Sequence, residues 1–162
     1  MRETVGATSL FKYVLAFTFL FAGFLAVAIK YNKVFKLKNE TTSIIEKYEG
    51  VNSTSIGIIN NYLSNNGYST KGNCETNEYG VNDLSSSNLK KVSNTNEEFY
   101  YCLKSFCDKK SNRCNMNDYD QVFYSVKLFF KFDLPLIGEL TNFKIIGDTK
   151  SIKLYSENQI LK

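Results

Sequence analysis

The sequence predicts an α+β protein: a long N-terminal helix, its first half transmembrane and its second half amphipathic, packed on a small antiparallel β-sheet. Three observations carry that prediction. Residues 10–29 are an almost unbroken apolar run, residues 30–49 space their apolar side chains as a helix does, and from about residue 98 the spacing changes to two. Helices come first and strands afterwards, with no β-α-β alternation, which is the α+β arrangement. The expected segments are an N-terminal tail at 1–9, a transmembrane helix at 10–29, an amphipathic helical region at 30–66, and an extracytoplasmic β-rich domain with disulfides at 67–162.

The run from Leu10 to Ile29, LFKYVLAFTFLFAGFLAVAI, carries one charge, Lys12, near its start. As a helix it would be about 30 Å long, the thickness of a hydrocarbon core, and Lys12 can snorkel to the interface. Its residues are apolar all round, unlike a helix packed on a soluble core. Ala26-Val27-Ala28 also reads as an A-x-A-like signal-peptide cleavage site. The length of the run and the helical pattern continuing through that point favour a retained span. Within it, Ala16, Ala22, Gly23, Ala26 and Ala28 would let neighbouring helices approach closely.

Charge follows the same division. The chain of 162 residues has 20 Lys+Arg and 16 Asp+Glu, but six of the bases and one of the acids fall in residues 1–38. The +4 therefore flanks the apolar run and leaves the rest nearly neutral, so no nucleic-acid partner is expected. Arg2, Lys12 and the terminal amine on one side nearly balance Lys30, Lys33, Lys36 and Lys38 on the other, so the positive-inside rule does not set the orientation. The cysteines do: four in a small polar domain suit an oxidising compartment, which places the C-terminal part outside the cell membrane.

Beyond the span, Tyr31, Val34, Phe35, Ile44, Ile45 and Tyr48 continue the helix, giving a rod of about forty residues, roughly 60 Å, ending at Gly50. Ser53 or Thr54 would cap a second helix with Ile56, Ile59, Tyr62 and Leu63 on one face and Asn65-Asn66-Gly67 as its stop. Residues 71–96 read as a long surface loop. Strands are expected at 98–106 and 121–134. In the second, Val122, Tyr124, Val126, Leu128, Phe130 and Phe132 share one face, while Phe123 and Phe129 interrupt the polar one, so that face too needs partial cover. Pro135 ends the strand, and Gly147-Asp148-Thr149-Lys150 reads as a hairpin turn between 143–146 and 151–155.

Cys74, Cys102, Cys107 and Cys114 allow three pairings. Bonding Cys107 to Cys114 would staple a polar loop between strands, which leaves Cys74 with Cys102 to pin the Asn-rich loop to the sheet. The spacing C-x₂₇-C-x₄-C-x₆-C lacks the paired C-x₂₋₄-C of zinc sites, and there is no C-x-x-C for thiol redox work. Asn115, Asn117, Asp118 and Asp120 read as a solvated turn, lacking the glycine and distal glutamate of an EF-hand loop. With no histidine in the chain, Ser-His-Asp and Cys-His arrangements and histidine zinc sites are excluded. No enzyme activity, catalytic set, metal or cofactor is expected.

The stretch Arg2–Lys12, RETVGATSLFK, places Gly6-Ala7-Thr8-Ser9 before the apolar run, and the chain closes with YSVKLFFKFDLPLIGELTNFKIIGDTKSIKLY. In this architecture the chain resembles type IV pilin-like (pseudopilin-like) single-pass membrane proteins, the TadE-like group of tight-adherence pili in particular. The resemblance implies a structural subunit of a pilus or related secretion apparatus at the cell surface. Its partners would be the lipid bilayer and other pilin-like subunits or assembly proteins, met through the N-terminal helix. It also makes Gly6 and Ala7 a candidate processing site, although the glutamate that such pilins carry five residues after the cleaved glycine is replaced here by Phe11. The alternative is a membrane-anchored or secreted binding module, an adhesin or receptor-like ectodomain, using the Asn- and Tyr-rich loops of residues 67–120.

Overall fold

A computed structural model describes residues 2–107, 121–131, 133–134, 138–139 and 143–153. The expected Cys107–Cys114 bond, the turn at 115–120, Phe132, Pro135 and residues 154–155 lie outside the described side chains or residues.

The rod is one unbroken helix, α1 (Arg2–Lys47), of 46 residues, or about 69 Å. It starts at Arg2, so the segment taken as a tail is helical too. From Ser9 to Ala22 its side chains are bare: Phe17 is 70% and Leu20 74% exposed. Cover begins at Val27, and Val34, Leu37, Thr41, Ile44 and Ile45 are buried, at the spacing of one helix face. Tyr31 and Phe35, predicted on that face, flank it and stay substantially exposed. The Thr41 hydroxyl donates to the Leu37 carbonyl (2.8 Å), which satisfies a polar group on the buried face. The helix unwinds through Glu49 (φ 54°) and Gly50 (φ 129°), and the Gly50 N–H donates back to the Ile45 carbonyl (2.9 Å). Gly50 marks the end, as predicted.

A tight turn leads into α2 (Ser53–Asn65), whose Ile56, Ile59 and Leu63 are fully buried. Its cap is Asn52, one residue before the predicted Ser53 or Thr54. Asn52 Oδ1 accepts from the Ser55 N–H (2.7 Å), and Ser55 Oγ accepts from the Asn52 N–H (2.9 Å), a reciprocal pair that leaves Ser53 and Thr54 in the first turn.

The strands are β1 (Gly72–Asn73), β2 (Tyr79–Val81), β3 (Lys90–Lys91), β4 (Glu98–Phe99), β5 (Tyr101–Cys107), β6 (Gln121–Phe130), β7 (Asp133–Leu134), β8 (Gly138–Glu139), β9 (Phe143–Asp148) and β10 (Ile152–Lys153). The main antiparallel sheet runs β3-β2-β5-β6, and both β9 and β10 pair with the outer edge of β6. Tyr101 and Leu103 of β5, with Val122, Tyr124, Val126, Leu128 and Phe130 of β6, form the inner face against α1 and α2. The helical region and the sheet therefore share one core.

Two sequence expectations change here. Residues 71–96 are not a plain surface loop: they contribute β1, β2 and β3, and Cys74, Glu78, Val81 and Val92 are buried. This segment covers the second face of β6, which is why Phe129 interrupts the polar pattern. Phe129, Phe99, Val92, Cys74 and Cys102 make a second, smaller core. Two glycines let it close, because a Cβ on Gly72 would occupy the Phe129 ring and one on Gly80 the Phe99 ring.

The second correction is at Gly147–Lys150, which is not a hairpin turn. The register on β6 passes from Ser125↔Asp148 to Val122↔Ile152, so three residues of one strand oppose two of the other. This is a bulge in one edge strand. Thr149 makes it: its N–H donates to the Tyr124 carbonyl (2.9 Å) and its Oγ1 accepts the Tyr124 N–H (2.9 Å), replacing the ladder bonds that a hairpin would have surrendered. Gly147 serves close packing, since a Cβ there would meet the Lys38 stem. Thr149→Val removes the acceptor of a buried N–H and is expected to cost about 1–3 kcal/mol, with Thr149→Ser retaining most of it, as read by chemical unfolding in detergent.

Candidate functional site

Three features of the structure bear on function: the bare half of α1, a basic cleft where that half meets the domain, and a buried charged junction behind the sheet. The first is long and apolar enough to cross a membrane. At 100° per residue, Ala16, Ala22, Gly23 and Ala26 fall within an arc of about 120°. Val27, Val34, Thr41 and Ile45 extend the same side of the helix into the domain core. The small-residue stripe is thus continuous with the face the domain covers, while Ala28 lies off it. Gly6 and Ala7 fall within α1.

The cleft has a volume of about 570 Å³ and lies between α1, the segment after α2 and the end of β6. Lys30, Lys33 and Val34 form one wall, Gly67–Lys71 another, and Phe130 and Lys131 close it. Among the described lining residues, Glu98 is the acid. Tyr68 anchors the floor: its hydroxyl accepts the Phe129 N–H (2.8 Å) and lies 2.8 Å from the Tyr100 carbonyl and 2.9 Å from that of Phe129, either of which can take its proton. Burial raises the Tyr68 pKa far above the ordinary phenol value, with the Phe129 hydrogen bond opposing it. The Lys71 ammonium sits 4.6 Å from the Tyr100 ring centre. Tyr31, Phe35, Phe130 and Phe143 form a chain of ring contacts beside the cleft.

Behind the sheet, Lys127 projects from the middle of β6 and is 5% exposed. Its ammonium donates to Glu78 Oε1 (2.6 Å) and Glu75 Oε1 (3.2 Å). Glu78 Oε2 in turn accepts the Glu75 N–H (2.8 Å), so the acids and the turn that carries them form one unit. The Lys127 hydrogen bond and charge hold the Glu75 carboxyl below the usual carboxylate range. Beside this unit Cys74 and Cys102 are bonded, with Cα atoms 5.7 Å apart, which ties the β1–β2 segment to β5. Cys74, Glu78 and Cys102 offer ligand-type atoms within 4.8 Å of one another. With the sulfurs joined there are no thiolates to bind a metal, and Glu78 is committed to Lys127.

Of the residues singled out from the sequence, Cys74 and Cys102 come together as one of the three pairings required. The other members of the site were missed. Lys127 stands between Val126 and Leu128 with aromatic residues on either side, a signal that it needs a partner, but nothing local names Glu78. The cleft joins lysines from residues 30 to 131, which no local pattern connects. Asn60 was also missed: its Oδ1 accepts from the buried Tyr101 hydroxyl (2.8 Å) and its Nδ2 donates to the Ser86 carbonyl (2.7 Å), fixing α2 to the covering segment. No family model, curated protein or solved structure matches the chain.

Proposed function

We propose that the chain is a bitopic structural subunit, with the first half of α1 in a bilayer, the α+β domain outside it, and assembly with like subunits or assembly proteins through the helix. The observation that carries this reading is the single helix that is bare over one half and the spine of the domain core over the other. A lone anchor has no need to be rigidly continuous with its domain. A subunit that positions its domain by packing its helix against a neighbour does, because the rod transmits the geometry. The small-residue stripe supports the same reading, since Ala16, Ala22, Gly23 and Ala26 provide a face on which a second backbone can approach. The buried ionisable groups Lys127 and Glu78 are spent on structure, which fits a part that assembles better than one that turns over a substrate. This reading is the role that the sequence resemblance to pilin-like and pseudopilin-like subunits implies.

Photo-cross-linking from positions along residues 10–49 in intact cells tests it. Cross-links to a second copy or to a discrete partner are expected from the small-residue side, and exclusively monomeric product would sink the proposal. Exchanging residues 10–29 for an unrelated apolar helix should abolish assembly. If activity survives the exchange, the ectodomain acts alone as a binding module.

A further inference from the structure

We infer that the basic cleft is a binding site for the phosphate of an anionic phospholipid headgroup, and that through it the domain is seated on the membrane surface. The inference rests on α1 spanning a bilayer, and it names a ligand for the end of the domain nearest that bilayer.

The argument is one of level. The apolar run ends at Ile29, and Lys30 and Lys33 begin within one turn of it, at the depth of the headgroups. The domain reaches the same depth: Val27, inside the apolar run, already packs against the core, so the lower edge of the sheet cannot stand clear of the interface. That edge brings Lys71 and Lys131, from segments far apart in sequence, to the same cleft as Lys30 and Lys33, with Glu98 as the acid among its described lining residues. Lys33, Lys71 and Lys131 offer three ammonium groups to an anion in about 570 Å³, and at this depth the abundant anions are lipid phosphates. The surroundings suit a lipid as well. Tyr31 and Phe35, 46% and 41% exposed, stand within about two turns of the end of the run, where amphipathic and aromatic rings collect at a membrane interface. The Ser69 and Thr70 hydroxyl groups complete a lining able to donate to phosphate oxygens.

The test uses the full chain reconstituted in vesicles of phosphatidylcholine, alone or mixed with phosphatidylglycerol, then extracted in a neutral detergent. Native mass spectrometry counts the lipids retained. The wild-type chain should hold phosphatidylglycerol over phosphatidylcholine, and Lys33→Gln/Lys71→Gln/Lys131→Gln should lose that preference by about tenfold or more. The control Lys47→Gln/Lys91→Gln/Lys150→Gln removes the same charge from exposed positions away from the cleft and should keep it. Equal loss in both variants would mean diffuse surface attraction and would overturn the site, as would no preference in the wild type. Release of the retained lipid by millimolar glycerol phosphate would make this a soluble-phosphate site and overturn the lipid assignment. Flotation with pure phosphatidylcholine vesicles separates the two readings. If the wild-type chain does not float there, both the span and the cleft fall, whereas flotation without lipid preference removes the cleft alone.

Discussion

Replacing Lys127 with methionine is expected to destabilise the domain by about 3–5 kcal/mol, because it strips the partner from a buried carboxylate. Glu78 and Lys127 are each 5% exposed and 2.6 Å apart, so neither charge can recover solvent in place of the other. The double variant Lys127→Met/Glu78→Gln should regain most of the loss, since no buried charge then remains. Chemical unfolding of the three chains reads the cycle directly. A single-variant loss under about 1 kcal/mol would mean that the charges are in effect solvated.

The pH dependence follows from Glu75. Its carboxyl is held below the usual range by Lys127, so its contribution is present above the unfolded-state carboxylate pKa near 4.3 and declines as pH falls through the lower folded value. Stability of the wild type should therefore fall on the acid side with a component that is absent in Lys127→Met. The Glu75 side chain is largely exposed, so this component is a modest slope and not the main acid transition.

The second large effect is expected from Cys74→Ala/Cys102→Ala. The bond closes a separation of 28 residues, for which the chain-entropy relation gives about 3.6 kcal/mol. The enclosed segment holds β2, β3 and β4, short strands with little ladder of their own, so the loss should be local first. Hydrogen exchange should rise through residues 72–99 while α1, α2 and β6 keep their protection. Uniform loss of protection instead would mean that the covering segment and the sheet unfold as one unit. Loss under about 1 kcal/mol would mean that the cluster of Phe99, Val92 and Phe129 holds the segment without the bond.

The predictions that held rest on short-range periodicity. Val34, Ile44, Ile45, Ile56, Ile59 and Leu63 are buried as their spacing indicated, and β6 places Val122, Tyr124, Val126 and Leu128 on its core face. Each of those readings needs only neighbours within a few residues. The misreadings fall where a distant element decides. Gly147-Asp148-Thr149-Lys150 has the composition of a turn, yet β6 runs past the whole segment and the Thr149 hydroxyl can stand in for a backbone acceptor, so it becomes a bulge. Residues 71–96 have the composition of a loop, yet a row including Phe129 on the outer face of β6 required cover, and the disulfide and two glycines allowed this segment to supply it.

By itself, then, the sequence determined the helical rod, its apolar first half, the stop at Gly50 and the antiparallel character of the second half, because periodicity and backbone preferences act locally and survive any context. The tertiary structure alone decided three things: that Lys127 would be buried against Glu78, that Cys74 would meet Cys102, and that lysines from residues 30 to 131 would surround one cleft beside the end of the apolar run. These depend on which faces meet when the core closes, and that choice is made by the burial of the whole apolar surface at once and written in no single segment.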